Sequence, residues 1–216
     1  MKKVLLVNIN IFLLLSCSNL NFNNIAPGYS DAFLALKNVV VGFNENPIDP
    51  EIIYRIPYAS SYIKIGKGPR ALMILESKTS SELTWVTADG VYIVTRSGRV
   101  IKTRGLFNNL QSSVHQANSF EYQNYQKKII YHSYDSPPLN NLKLKSTYVS
   151  KGKETVALFD RTKELTLIEE KISNDYLGWT VTNKYWLDEE NFVWKSEQYI
   201  SPKLPKIEIE VTKKPS

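Results

Sequence analysis

The stretch LTWVTADGVYIVTRSGRVIKTR, residues 83–104, decides the fold class. Its side chains alternate with a period of two, and two short breaks, Ala88-Asp89-Gly90 and Ser97-Gly98, divide it into three segments. Asp-Gly and Ser-Gly pairs tolerate the positive φ angles of tight hairpins. The stretch therefore predicts a meander of three antiparallel strands.

The same period continues on both sides of this stretch. Residues 71–75 form an apolar run typical of a buried strand, and residues 142–145 and 207–211 alternate between apolar and charged side chains. Residues 185–200 read as a hairpin with its turn at 189–191. Strands with one apolar and one polar face indicate antiparallel sheets. We predict an all-β, mainly antiparallel protein of some ten strands, whose large curved sheet forms either a half-closed barrel or a sandwich.

Two segments depart from this pattern and predict short helices. Phe33, Leu36, Val40 and Phe43 are spaced three or four residues apart, which favours a helix over about residues 31–41. A second, weaker helix is predicted near residues 106–117. The expected fold is thus a β-sheet with one or two short helices.

Composition limits the function classes. The chain has 216 residues, of which 43% are hydrophobic and 22% charged, as in an ordinary globular protein. Its 27 basic and 21 acidic side chains give a net charge of +6, which falls to +4 when Lys2 and Lys3 are removed with the leader described next. This mild excess does not indicate a nucleic-acid partner, and none is expected.

The first residues, MKKVLLVNINIFLLLSC, read as a secretory leader. Two lysines precede an apolar run that is too short to cross a bilayer. Leu14-Leu15-Ser16-Cys17 resembles the bacterial lipobox, in which the leader is cut just before the cysteine. We therefore predict a signal peptide over residues 1–16, with cleavage between Ser16 and Cys17.

Cys17 is predicted to be the lipidated first residue of the mature protein. It carries a diacylglycerol on its thiol and a further acyl chain, typically palmitate, on its amine, and two such signals anchor a protein stably to a membrane. No other cofactor is expected, and because Cys17 is the single cysteine, disulfides and cysteine-type zinc sites are excluded. Ser18, by resemblance to Gram-negative lipoproteins, favours the outer membrane. Residues 17–28 are predicted to be the lipidated N-terminus and tether, and residues 29–216 a single β-rich domain.

One cluster in the meander has the composition of a glycan-binding surface. Apolar sugar faces stack on aromatic rings, and guanidinium groups bind carboxylates or phosphates in a forked geometry. The alternative is that Trp85 belongs to the core and that the basic residues form a solvated face or protect a sheet edge from aggregation. The candidate glycan-binding residues are Trp85, Tyr92, Arg96, Arg99, Lys102 and Arg104.

Catalytic and metal-binding patterns are weak. His115 and His132 show no metal-ligand spacing, and Ser112 and Ser113 lie in no nucleophile motif. The carboxylate pairs Asp188 with Glu190 and Glu169 with Glu170 are the candidates for a glycosidase, although acids in hairpin tips are usually just solvated. We predict no catalytic residue, no metal site and no enzymatic activity.

Four blocks together resemble one family: the leader and residues 56–77, 83–106 and 185–215. They are similar to the group 4 capsule polysaccharide lipoprotein family of the GfcB/YjbF type, over Tyr29 to Pro215. The matching positions are Gly66, Gly68, Pro69, Trp85, Asp89, Gly90, Gly98, Arg99, Gly105, Leu106, Trp186, Ser196, Gln198, Pro202 and Pro215.

The resemblance implies an all-β outer-membrane lipoprotein encoded with machinery for secreting capsule or exopolysaccharide. We predict a non-enzymatic accessory factor in that secretion or assembly, which faces the periplasm. Its expected partners are the membrane, through the lipid anchor, an acidic polysaccharide and other secretion proteins. The alternative function is a periplasmic lipid or lipoprotein carrier, because a half-closed barrel can hold acyl chains. A polysaccharide-trimming hydrolase is the third hypothesis.

Overall fold

The structure is a computed structural model that describes residues 50–115 and 127–215, with His115 described through its backbone. All these residues lie within one compact unit. The described helix is α1 (Pro50–Arg55). The strands are β1 (Ser60–Ile65), β2 (Ala71–Lys78), β3 (Leu83–Thr87), β4 (Tyr92–Arg96), β5 (Arg99–Arg104), β6 (Leu110–His115), β7 (Lys127–Asp135), β8 (Pro138–Ala157), β9 (Thr162–Asn174), β10 (Trp179–Leu187), β11 (Val193–Gln198) and β12 (Ile207–Lys213).

The twelve strands form one sheet in the order β5-β4-β3-β2-β1-β12-β11-β10-β9-β8-β7-β6, and every paired neighbour is antiparallel. The two edge strands, β5 and β6, follow each other in the chain and lie side by side. The Leu110 amide of β6 donates to the Thr103 hydroxyl of β5 at 2.9 Å. The sheet is thus nearly closed into a barrel.

Apolar side chains fill the barrel. Trp85 and Met73 are at most 1% exposed and pack with Ile93 and Ile207 in the largest cluster. Smaller clusters continue it along β7 to β11. Because strand side chains alternate between two faces, the period-two pattern of the sequence supplies this core directly.

A second apolar layer lies on the outside of the sheet. Trp186 alternates with the inward-facing Tyr185 and therefore points away from the interior, yet it is only 7% exposed. The turn between β8 and β9 reaches β1, where the rings of Phe159 and Tyr62 meet edge to face at 5.1 Å. The other buried members of the cluster that contains Trp186 are Val156, Leu165, Leu167, Trp194 and Val211.

The predicted fold class is confirmed, and the sequence alternatives resolve to a nearly closed barrel. The predicted turns in residues 83–104 are also confirmed, with φ of 82° at Gly90 and 77° at Gly98. The helix predicted near residues 106–117 is wrong, because residues 110–115 form strand β6 and pair with β7.

The helix predicted over residues 31–41, the leader, Ser16, Cys17 and the tether lie outside the described residues. No helix within the described part of the chain has the length and apolar character needed to span a membrane.

Candidate functional site

The exposed side of β4 and β5 carries most of the predicted glycan-binding residues. Tyr92 pairs with Arg104 across the two strands, and Val94 pairs with Lys102. Ile93 alternates with these residues and is fully buried. The alternation therefore keeps Tyr92, Lys102 and Arg104 on the side away from the core.

Charge is concentrated at one end of this face. The Arg104 guanidinium carbon lies 5.8 Å from the centre of the Tyr92 ring, within range of a cation–π contact. Lys102 and Arg104 are exposed, and within the described ranges neither forms an ion pair. Two cations beside one aromatic ring are thus open to an anionic ligand. We call Tyr92, Lys102 and Arg104 the β4–β5 patch.

Arg96 lies at the other end of β4 and is less available. Its guanidinium forms an ion pair with Glu82, which immediately precedes β3. The Arg96 side chain is 39% exposed and that of Glu82 is 33% exposed. A ligand carboxylate would have to compete with Glu82 for Arg96, so Arg96 is not part of the β4–β5 patch.

The other two predicted residues, Trp85 and Arg99, are buried, which corrects the sequence-based candidate set. Trp85 is 1% exposed, and its indole nitrogen donates to the Thr95 hydroxyl at 3.2 Å. Arg99 is 2% exposed. Because surface contact with a polymer would require both side chains to leave the interior, we remove them from the candidate surface.

Arg99 instead joins a buried polar network that the sequence did not predict. Its guanidinium forms an ion pair with Glu170 of β9 and donates to the Tyr148 hydroxyl of β8 at 2.5 Å. The Tyr185 hydroxyl of β10 donates to the other Glu170 oxygen at 3.0 Å. Ser146 donates to the Glu170 carboxylate at 2.6 Å. One arginine thus links β5 to three strands on the far side of the closure.

Arg99 and Glu170 each stabilise the ionised form of the other. Burial acts to raise the pKa of Glu170, but the positive charge of Arg99 and the hydrogen bonds from Arg99, Ser146 and Tyr148 outweigh it, so the pKa lies below the usual value. Burial acts to lower the pKa of Arg99, and the Glu170 charge more than offsets it. Both groups therefore stay ionised at neutral pH.

Gln198 of β11 completes the link to β5. Its side-chain oxygen accepts from the Val100 amide at 2.9 Å, and its nitrogen donates to the Gly98 carbonyl at 2.8 Å and to the Ser196 hydroxyl at 2.9 Å. Gly98, Arg99, Ser196 and Gln198 are all positions that carried the family resemblance. Their shared role in this structure is to hold the β4–β5 hairpin against the opposite wall.

A signal for this network was present in the sequence. Glu170 alternates with Ile168 and Ile172, both of which face the core, so the period of two places a carboxylate among inward-facing residues. A buried carboxylate requires a cation or several donors. The pattern indicated that a partner was needed, but not which cation supplied it.

The weighed catalytic patterns do not assemble into a site in the described residues. Glu169 and Glu170 are neighbours on one strand and therefore point to opposite faces, Glu169 toward Lys151 at 3.2 Å. The Asp188 carboxylate accepts from the Phe192 amide at 2.9 Å and the Trp194 indole nitrogen at 2.8 Å, so it shapes the β10–β11 turn.

The histidines and serines are placed as follows. The His132 ring lies in the interior, with its Nδ1 3.0 Å from the Tyr134 hydroxyl. Ser112 and Ser113 lie on β6, and the side chain of His115 is outside the description. Across residues 50–115 and 127–215, no cluster of three or more His, Cys, Asp or Glu side chains is placed to hold a metal ion.

Comparison with known proteins gives consistent relatives. A family model described as group 4 capsule polysaccharide lipoprotein gfcB, YjbF, matches residues 33–212. The uncharacterized lipoprotein YjbF of Escherichia coli K12 is 27% identical over 156 residues, covering 68% of this chain and 72% of that protein. The uncharacterized lipoprotein GfcB of the same strain is 24% identical over 143 residues, covering 63% of this chain and 66% of that protein.

A solved structure has the same fold. The crystal structure of the hypothetical lipoprotein YmcC from Escherichia coli K12 superimposes with a TM-score of 0.70 at 22% sequence identity. The match covers 86% of this chain and 95% of that chain. The architecture described above is therefore one that an experimentally determined lipoprotein also adopts.

Proposed function

The chain belongs to the group 4 capsule polysaccharide lipoprotein family, and from this premise we propose that it is a non-enzymatic accessory factor in the secretion or assembly of a capsular or extracellular polysaccharide. In this proposal the protein is anchored by lipid on Cys17 to the outer membrane and faces the periplasm. The protein contacts acidic polysaccharide. It also contacts other proteins of the secretion machinery.

The observation that carries the proposal is the β4–β5 patch. Lys102 and Arg104 present two cations without a carboxylate partner among the described residues, and the Tyr92 ring lies 5.8 Å from the Arg104 guanidinium. An acidic sugar offers a carboxylate for the cations and an apolar ring face for the tyrosine. Both halves of such a ligand are thus matched on one rigid pair of strands.

The interior gives the alternative function no support. A lipid carrier needs room for acyl chains, but the described barrel is filled by large buried side chains such as Trp85, Met73 and Tyr185. The Arg99–Glu170 pair also lies inside, and an acyl chain beside it would replace its polar partners with hydrocarbon. We therefore place ligand contact on the surface of the protein.

Binding to an acidic polymer tests the patch. We compare polygalacturonate binding by the full chain, purified in detergent, with binding by Lys102→Gln/Arg104→Gln. Loss of two charge-assisted contacts is expected to weaken binding by at least about tenfold. Lys143→Gln/Lys171→Gln is the matched control, because it removes the same charge from exposed sites on β8 and β9. If both variants bound polygalacturonate equally more weakly than wild type, the loss would be due to net charge alone, and the β4–β5 patch would be refuted as the binding site.

The cellular role is tested by the amount of surface and released polysaccharide. Cells lacking the gene are complemented with the wild-type chain or with Cys17→Ala, which cannot be lipidated. The proposal expects polysaccharide to fall without the gene and to return with the lipidated chain only. Unchanged polysaccharide in the gene deletion, under conditions in which capsule is made, would refute the accessory role.

A further inference from the structure

A cleft that no sequence motif indicated lies beside helix α1. Its volume is about 190 Å³. Its walls come from α1, the turn between β8 and β9, and the ends of β11 and β12. The lining residues are Ile53, Tyr54, Arg161, Trp194, Thr212, Lys213 and Lys214.

The charged residues that line the cleft are all positive. Arg161, Lys213 and Lys214 contribute three cations, and no carboxylate is among the lining residues. Asp160 forms a two-pronged ion pair with Arg161, at 2.6 and 2.7 Å. The Lys214 ammonium lies 2.5 Å from the Glu190 carboxylate and 3.7 Å from that of Asp188. Arg161 and Lys214 are thus paired with acids, and Lys213 is the lining cation that no acid of the described residues neutralises.

The floor of the cleft includes an aromatic ring that is held in a fixed orientation. The Trp194 indole nitrogen donates to Asp188 at 2.8 Å, and Phe192 packs edge to face on the indole at 5.3 Å. The Lys163 ammonium lies 4.5 Å from the ring centre, and the Arg161 guanidinium lies 6.0 Å from it. Trp194 is only 6% exposed, so its ring forms the floor beneath these two cations and is not an open stacking surface.

Helix α1 forms the opposite wall and is attached to the barrel at three points. Ile53 is 2% exposed, the Tyr54 hydroxyl donates to Asp160, and the Lys213 ammonium donates to the Ile56 carbonyl at 2.8 Å. Tyr54 itself is 60% exposed and stands at the rim. The wall is therefore part of the packed structure and also presents an aromatic surface to an incoming ligand.

We infer that this cleft binds one acidic sugar unit of a polysaccharide, with the sugar carboxylate at Lys213, which has no acidic partner among the described residues, and the sugar ring on the exposed Tyr54. The inference rests on the proposed function and adds a second contact site to it. The volume lies below the roughly 300–1,000 Å³ of pockets for drug-sized ligands, which suits a single sugar unit. Cations bind the carboxylate, and aromatic rings pack on the apolar face of the sugar.

The probe is trigalacturonic acid, titrated by calorimetry into the full chain in detergent. Lys213→Gln/Lys214→Gln is expected to bind it at least about tenfold more weakly than wild type, because the charge-assisted contact to Lys213 and the neighbouring positive charge of Lys214 are both lost. The control Lys143→Gln/Lys171→Gln is expected to stay within about twofold. The neutral methyl ester of the same trisaccharide is expected to bind wild type at least about tenfold more weakly than the acid.

Four results separate this inference from the proposed function. Weaker binding in the cleft variant but not in the control supports the cleft. Unchanged affinity in the cleft variant, with loss in Lys102→Gln/Arg104→Gln, overturns the cleft and leaves the β4–β5 patch standing. Equal binding of the acid and its methyl ester overturns the role of the cations. Absence of binding to wild type overturns both sites for this class of sugar.

Discussion

Replacing Arg99 by methionine removes the charge that compensates Glu170 in the interior of the barrel. The two side chains are 2% and 0% exposed, so water cannot replace the lost partner. Breaking a buried ion pair on one side typically costs about 3–5 kcal/mol. With a urea dependence of about 2 kcal/mol per molar, the unfolding midpoint is expected to fall by roughly 1.5–2.5 M.

The stability lost in Arg99→Met is expected to depend on pH. In the native protein the pKa of Glu170 lies below the usual 4.5. Its stabilising contribution is therefore fully present above about pH 4.5 and is lost as pH falls through the folded-state pKa. In Arg99→Met, burial without the cation raises the pKa of Glu170, so the variant recovers stability as pH falls. The difference between the two proteins should be largest near neutral pH and smaller near about pH 5.

Urea unfolding followed by tryptophan fluorescence at the two pH values measures both effects. Arg104→Met, at an exposed site, is the control and is expected to change stability by about 0.5 kcal/mol or less. The double variant Arg99→Met/Glu170→Met removes both charges and should recover most of the loss. A loss below about 1 kcal/mol in Arg99→Met, or a loss equal at both pH values, would refute the compensating role of this pair.

Two further changes test how the β4–β5 hairpin is held. Gly98→Ala places a Cβ 2.4 Å from the Val193 Cβ at a φ of 77°, so we expect a loss of about 2–4 kcal/mol in urea unfolding. Gly90→Ala has a similar φ of 82° but no atom within 4 Å, so it should lose about 1–2 kcal/mol, and equal losses would contradict the packing argument. Gln198→Leu leaves the Val100 amide and the Gly98 carbonyl without their partner, with an expected loss of about 2–5 kcal/mol, and a loss below about 1 kcal/mol would show that they find other partners.

The strands of residues 83–104 could be predicted because their determinants are local. Alternation and the turn residues Asp89-Gly90 and Ser97-Gly98 lie within the stretch itself. The segment around β6 was misassigned because Leu106, Leu110 and Val114 are spaced four apart, as on a helix face. Its strand conformation depends on pairing with β7, which is separated from it by residues 116–126. Long-range pairing of this kind overrides local spacing.

The candidate site residues also divide into those that local sequence could place and those that depend on contacts distant in the chain. Tyr92, Lys102 and Arg104 were placed together because strand register alone puts them on one face. Arg99 was misplaced because its position beside a hairpin turn is usually a solvated one, whereas its partner Glu170 is distant in the chain. The cleft was missed for the same reason: Tyr54, Arg161, Trp194 and Lys213 come from four separate segments. Only the folded sheet, which sets β11 beside β12 and the β8–β9 turn near both, brings them together.

The two proposed sugar contacts lie toward opposite ends of the barrel. Arg104 ends β5 and Lys213 ends β12, and five antiparallel steps separate these strands in the sheet. An odd number of steps reverses direction, so the two strand ends face opposite ways. The seven-residue strand β12 alone is about 23 Å long, and five steps between strands add about 24 Å across the sheet. A single sugar therefore cannot reach both sites, whereas a polymer that runs obliquely around the barrel wall can. Two sites on one rigid barrel therefore favour a polymer over its isolated units, since the second contact forms at a raised effective concentration.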